Sequence, residues 1–206
     1  MDKLILGLLM LKRLTVYELR GAVKQYFQSM CSDSLGSIRV AVKKLRDAGL
    51  VTCEEYVEKS VNKKQYSITD KGRKEFLDWV HTPADISRFK NMELAKLLFM
   101  GFVSDKKRLP LLDEIIASLQ KKLSKLLAIQ SSIQISEGKT EALSFWGDDH
   151  EYRNGILKST QITDIAKIAN DVGDFLMFCL QYEIDAAKFQ IEWFRQLRNE
   201  EVKKGE

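Results

Sequence analysis

Reactive side chains are sparse in this chain of 206 residues, and those present do not converge in sequence. The two histidines, His81 and His150, lie far apart, and Cys31, Cys53 and Cys179 form no C-x-x-C pair. No glycine-rich phosphate loop, nucleophile elbow or H-E-x-x-H helix occurs. His150 stands beside carboxylates in Trp146-Gly147-Asp148-Asp149-His150-Glu151. That run reads either as a metal or proton-transfer site or as a solvated acidic loop, the commoner fate of such clusters. Cys31 reads either as a redox-sensitive thiol, which needs a depressed pKa, or as a small inert residue in a turn. The expectation is a protein that is not an enzyme and holds neither metal nor cofactor.

The cations are better ordered. Between Ser34 and Leu45, the residues Leu35, Ile38, Val42 and Leu45 recur at helical spacing and define a buried side. Gly36, Ser37, Arg39, Val40, Lys43 and Lys44 fall on or beside the other side. Small residues at the start of such a helix (Ser34, Gly36, Ser37) let its backbone approach a groove, and long cations behind them (Arg39, Lys43, Lys44) reach base edges or phosphates. Asn62, Lys63 and Lys64, with Lys59, follow in a polar stretch and suit contacts along a phosphate backbone, which position a protein without reading sequence. Tyr17 either donates its hydroxyl to a phosphate or sits at the edge of the core.

The elements that must hold these residues can be read in order. Leu4 to Leu11 is a short, largely buried helix. Thr15 with Glu18 is a capping box that opens a second helix carrying Leu19 and Val23. The third helix closes at Ala48-Gly49. The period then changes: residues 50–57 and 65–69 are rich in β-branched and aromatic types, with a basic loop from Glu58 to Lys64 between them, a hairpin. Thr69 caps a fourth helix to about Val80. The order helix, helix, helix, hairpin, helix is a winged helix-turn-helix.

Pro83 marks the boundary, since it biases Thr82 away from helix. The expected domains are a DNA-binding winged helix over 1–82 and a helical dimerisation domain over 83–206. The first 82 residues hold 15 Lys and Arg against 10 Asp and Glu, and the remainder 18 against 19. The net +4 of the chain therefore resides in the head, as a polyanion-binding module requires. Beyond the boundary a helix over about 91–103 carries Leu94, Leu97, Leu98 and Phe102. Leu112, Ile116, Leu119, Leu123, Leu126, Gln130 and Ile133 then alternate by four and three, a coiled-coil seam. The same alternation runs through Leu176 and Cys179 to Trp193 and Leu197 in a last helix from about Thr160 to Glu200. Phe175, Phe178, Tyr182, Phe189 and Phe194 widen its apolar face. Two such helices cannot hide their faces in one small monomer, so a homodimer is expected, its contacts drawn from these two rows. Residues 136–159 have weaker periodicity and read as an irregular insertion.

The class is thus mainly α with a small β-hairpin. With two prolines and eleven glycines the chain has too few turn-formers for a many-stranded sandwich, and 45% hydrophobic residues exclude a disordered tail. Scattered cysteines, odd in number, fit the reducing cytoplasm. Leu4 to Leu11 has the character of a signal-peptide core, but Lys12-Arg13-Leu14-Thr15 follows instead of a small-residue cleavage site. No apolar stretch approaches the roughly 20 residues that span a bilayer, so no membrane role is expected.

These residues carry a resemblance. The segment from Ile5 to about Leu77 resembles the DNA-binding domain of the PadR family of bacterial transcription regulators. The opening Ile5-Leu6-Gly7-Leu8-Leu9, then Thr15-Val16-Tyr17-Glu18-Leu19, is similar to the family's first two helices. Ser34-Leu35-Gly36-Ser37-Ile38-Arg39-Val40-Ala41-Val42-Lys43-Lys44-Leu45 resembles its recognition helix. Gly49-Leu50-Val51 and Tyr66-Ser67-Ile68-Thr69 with Gly72 follow in the family's order. Two departures stand out: the family's recognition-helix Tyr-Pro is Arg39-Val40 here, and the Gly-Arg of its wing is Ser60-Val61. The resemblance implies a dimeric regulator, most often a repressor, on a pseudo-palindromic operator in double-stranded DNA. It also implies a small aromatic or lipophilic effector, for which Trp79, Phe89, Phe99, Phe102 and Trp193 are either a lining or ordinary core. The missing wing arginine leaves a second reading, a ligand-sensing or partner-binding winged helix that no longer binds DNA specifically.

Overall fold

The computed structural model describes residues 1–27, 31–58, 61–83, 97 and 100–205. The chain forms two compact units. The first comprises Met1–Pro83 together with Gln134–Gly173, and the second Ala84–Ile133 together with Asp174–Glu206.

The first unit opens with α1 (Asp2–Leu11), whose Ile5, Leu6, Leu9 and Met10 are buried. A two-residue strand β1 (Leu14–Thr15) leads into α2 (Val16–Tyr26). The capping box is made: Glu18 N–H donates to Thr15 Oγ1 at 3.2 Å, and Thr15 N–H donates to Glu18 Oε2 at 2.7 Å. Helix α3 (Leu35–Asp47) starts at Ser34, whose hydroxyl accepts from Ser37 N–H, and buries Ile38, Ala41, Val42 and Leu45. Gly49, at φ +69°, ends it: the Gly49 and Leu50 amides turn back to the Arg46 and Leu45 carbonyls, a Schellman closure that needs a residue tolerant of the left-handed region.

The hairpin follows as β2 (Val51–Glu58) and β3 (Val61–Ile68). The strands are longer than the sequence suggests. The expected basic loop from Glu58 to Lys64 is mostly strand, because Glu54, Glu55 and Tyr56 find cross-strand partners in Gln65, Lys64 and Lys63. Lys59 and Ser60 lie outside the described residues. Strand β1, too short to show in sequence, pairs Leu14 with Tyr66 and Thr15 with Gln65, so the sheet order is β1-β3-β2. Thr69 then caps α4 (Asp70–Val80) by accepting from Gly72 N–H at 3.0 Å. A side chain at Gly72 has no room, since its Cβ would stand 2.1 Å from the Leu50 carbonyl oxygen.

The segment 136–159 is not irregular. It lies within two helices, α6 (Ile135–Asp148) and α7 (His150–Thr160), which belong to the first unit with the start of α8 (Ile165–Gly205). Trp146, Tyr152, Ile156 and Ala169 enter the same core as Leu6, Leu19, Ile38 and Ile68. A division at Pro83 alone therefore does not describe the head. Its core is completed by residues that come after the first long helix, a contact between distant segments that local periodicity cannot reveal.

In the second unit, helix α5 (Asp105–Ser132) lies antiparallel to the rest of α8. Arg108 pairs with Glu201, Asp113 with Arg198 and Lys122 with Glu183, while Gln130 donates to Gln181 at 3.2 Å. Leu126 packs with Leu180, Ile184 and Ala187, and Leu112 and Ile116 are buried as well. The helix expected over 91–103 falls largely outside the described residues, Leu94 and Leu98 included, and Met100–Phe102 is a single 3-10 turn.

Candidate nucleic-acid interface

Burial of Ile38, Ala41, Val42 and Leu45 turns the other side of α3 outward, and Gly36, Ser37, Arg39, Val40, Lys43 and Lys44 all stand exposed there. Val40 is 69% exposed, high for an apolar residue of a folded helix. No atom outside its own turn approaches the Gly36 Cβ position within 4 Å, so the helix start is open to close approach. Ser34 and Ser37 serve the helix first: the Ser34 hydroxyl caps it and meets Ser37 Oγ at 2.7 Å. Lys44 forms an ion pair with Asp2 at 2.7 Å, which holds its ammonium pKa above the usual lysine value. Tyr17, at the start of α2, is 67% exposed, which places it outside the core and leaves its hydroxyl available.

On the wing, Asn62 and Lys64 are exposed and Lys63 is half-buried. Glu55 lies directly across from Lys64. Lys64 Nζ pairs with Glu55 Oε1 at 2.7 Å, and Asn62 Nδ2 donates to Glu55 Oε2 at 3.4 Å. The Lys64 ammonium and Asn62 amide hold the Glu55 carboxyl below the usual carboxylate range. The two expected phosphate donors therefore share one carboxylate. Only the register of the hairpin, which sets Glu55 opposite Lys64, reveals this sharing.

Other candidate residues are placed differently. Cys31 is half-buried with its thiol on the Phe27 carbonyl at 3.8 Å, and burial pushes its pKa up, the opposite of what a redox-sensitive thiolate needs. His150 is exposed at the start of α7, and its neighbour Asp149 is taken up by Arg13 at 2.8 Å and by Tyr152 N–H at 2.9 Å. Among the described residues no three metal-ligating groups converge. Of the aromatics considered for an effector, Trp79 is exposed in the first unit and Phe102 and Trp193 are exposed in the second, while Phe89 and Phe99 lie outside the described residues.

The rows considered for dimerisation divide. Leu112, Ile116 and Leu126 are buried within the single chain, and Leu119 and Leu123 are half-buried, so the α5 seam is spent on the protein's own last helix. Leu176 and Leu197 are half-buried, whereas Cys179 and Trp193 are exposed. Beside them on α8, Phe175, Phe178, Tyr182 and Phe189 are each at least 60% exposed.

Comparison with known proteins accords with this geometry. Residues 5–78 match the family described as transcriptional regulator PadR-like. The chain is 29% identical over 148 residues to the negative transcriptional regulator PadR of Bacillus subtilis (strain 168), covering 70% of this chain and 79% of that one. The crystal structure of Bacillus subtilis PadR with operator DNA superposes with a TM-score of 0.67 at 20% identity, covering 97% of this chain and 98% of the other. The same regulator with p-coumaric acid superposes with a TM-score of 0.62 at 21% identity, covering 98% of each chain. Among the described residues no helix is long and apolar enough to cross a membrane. Residues 5–78 therefore form a domain of the PadR-like transcriptional regulator type.

Proposed function

We propose that the protein is a homodimeric repressor in the cytoplasm, gripping a pseudo-palindromic site in duplex DNA with its two winged heads. A small aromatic or lipophilic effector releases it. The observation that carries this reading is the outer side of α3, where Arg39 and Lys43 stand open to solvent behind the small residues Gly36 and Ser37. Arg39 reads a base edge, Ser34, Ser37 and Tyr17 offer hydroxyls, and Val40 makes apolar contact in the groove. Lys43, Lys44, Asn62, Lys63 and Lys64 take phosphates. The relative from Bacillus subtilis is a negative regulator solved on its operator and with p-coumaric acid, which supports both the repression and the aromatic effector.

The dimer uses α8. Phe175, Cys179, Tyr182, Ala186, Phe189 and Trp193 alternate by four and three, and this row rather than the α5 seam faces the second copy.

An electrophoretic shift against the protein's own upstream DNA tests the reading. A dimer neutralising several phosphates loses about 10³-fold or more in affinity between 50 and 200 mM salt and prefers the upstream fragment over random duplex. Weak association indifferent to sequence would instead identify a partner-binding winged helix. Tryptophan fluorescence titrated with aromatic acids tests effector control, with release of the shifted DNA as the expected companion result.

A further inference from the structure

The α6–α7 segment has no role in DNA contact as proposed, yet one of its buried side chains with a polar tip reaches the root of the wing. Tyr152, on α7, is 5% exposed. Its hydroxyl donates to the Leu9 carbonyl, one of the last acceptors of α1, and faces the backbone amide of Ile68, the last residue of β3. The Ile68 carbonyl in turn accepts from Arg73 Nη1 at 3.3 Å. Arg73 lies over the Tyr152 ring at 5.9 Å and Arg13 at 5.4 Å, while Phe145 meets the ring edge-on at 5.1 Å.

The sheet register explains why Ile68 needs these partners. Thr69 N–H donates to the Leu50 carbonyl at 3.1 Å, so the polar groups of Thr69 face β2. In an antiparallel ladder successive residues alternate sides, and those of Ile68 therefore face the β1 side. But β1 pairs only with Gln65 and Tyr66. Beyond it the edge of β3 would carry an unpaired N–H and C=O, a costly arrangement inside a core. Tyr152 and Arg73 fill that edge in place of a strand.

We propose that Tyr152 is a positioning residue for DNA binding: with Arg73 it completes the edge of β3 at Ile68 and thereby sets the direction in which the wing leaves the head. The segment 134–173 is then part of the DNA-reading apparatus rather than an appendage, and any change in α7 is felt at Asn62, Lys63 and Lys64, six to four residues up the same strand. The functional half of this inference rests on the proposed DNA binding; the structural half does not.

The test uses the full chain and two variants. Tyr152→Phe keeps the ring between Phe145 and the guanidiniums but removes the hydroxyl that binds the Leu9 carbonyl and faces the Ile68 amide. Gly155→Ala leaves Tyr152 intact and puts a methyl group 2.7 Å from Arg73 Nη2. Hydrogen exchange of the free protein is read first. In both variants the Ile68 amide and its β3 neighbours should exchange about tenfold faster or more, while α3 amides keep their wild-type rates. Duplex affinity should then fall by about 3- to 30-fold, with a smaller salt slope as wing contacts are lost. Unchanged exchange at Ile68, or an increase spread evenly over the head, would overturn the proposal, because even destabilisation is all that a merely structural tyrosine produces. Faster exchange at β3 with unaltered operator affinity would overturn it too. If wild-type protein binds no duplex, the DNA reading fails by itself and the exchange result still decides whether Tyr152 holds the wing.

Discussion

Arg39 and Lys64 stand for two kinds of contact that a single substitution separates. Arg39 is exposed on the outer side of α3, where a forked guanidinium can meet a base edge. Arg39→Ala should cost about 1–3 kcal/mol on the specific site and much less on random duplex, measured by titration on both DNAs. Equal losses would make it a phosphate contact. The wing behaves otherwise. Glu55 holds Lys64 and Asn62 in the free protein, so phosphate must displace it. Glu55→Gln should tighten binding to every duplex by about two- to fivefold, in keeping with the small worth of an exposed pair, and the gain should vanish in a Lys64→Gln background. Tyr152 offers a third test. Burial pushes its phenol up to about 12 from an ordinary 10.0, against the pull of the Ile68 backbone, Arg73 and Arg13. A raised acid pKa means the folded state resists ionisation that the unfolded chain accepts. The stabilisation is thus complete below pH 10 and is lost as pH climbs from 10 towards 12, by about 3 kcal/mol in all. Denaturant titrations over that range should fall less steeply for Tyr152→Phe.

Elements are set mainly by their ends. The Thr15–Glu18 box, the Gly49 closure and the Thr69 cap each act within five residues, and each was legible as a short pattern, whereas the Ser34 cap became definite only in the structure. Gly72 is a different case, since its constraint comes from Leu50 across a turn: the Thr69 amide binds the Leu50 carbonyl, and that oxygen occupies the space of a Gly72 side chain. Gly72→Ala should cost about 3 kcal/mol of stability by chemical denaturation, because backbone and not a flexible side chain has to move. Gly36→Ala, with open space around it, should leave stability unharmed while weakening DNA binding. The hairpin was legible as two strands but not in extent, since charged residues such as Lys63 and Lys64 look like loop until Glu55 and Tyr56 are known to lie opposite.

For the whole molecule the apolar faces of the long helices decide assembly. One face of α5 is consumed by α8 within the chain, through Leu126 with Leu180, Ile184 and Ala187. What remains is the aromatic row on α8, with Phe175 at 67% and Phe189 at 69% exposure, too much large apolar surface for a solitary chain in water. A Phe175→Glu, Phe189→Glu double variant should sediment as a folded monomer and lose most of its operator affinity, because each head would then bind one half-site without the other. The comparable pair Leu119→Glu, Leu123→Glu should damage folding instead, since those side chains line the intramolecular seam.

Local chemistry is what this chain's sequence determined alone: that α1 to α5 and α8 are helices, where α2 and α4 are capped and α3 closes, which side of α3 carries cations, and that residues 1–82 hold the excess positive charge. Such features depend on residues a few positions apart, and a one-dimensional pattern preserves those distances. Only the tertiary structure decided that residues 134–173 complete the head, that Glu55 occupies the wing's donors, and which apolar row of α8 stays bare. Tyr152 lies 143 residues from Leu9, and the alternation of α5 and α8 is the same whether its partner is in the chain or in a second copy. Periodicity states that a face must be covered; only docking in three dimensions selects the surface that covers it.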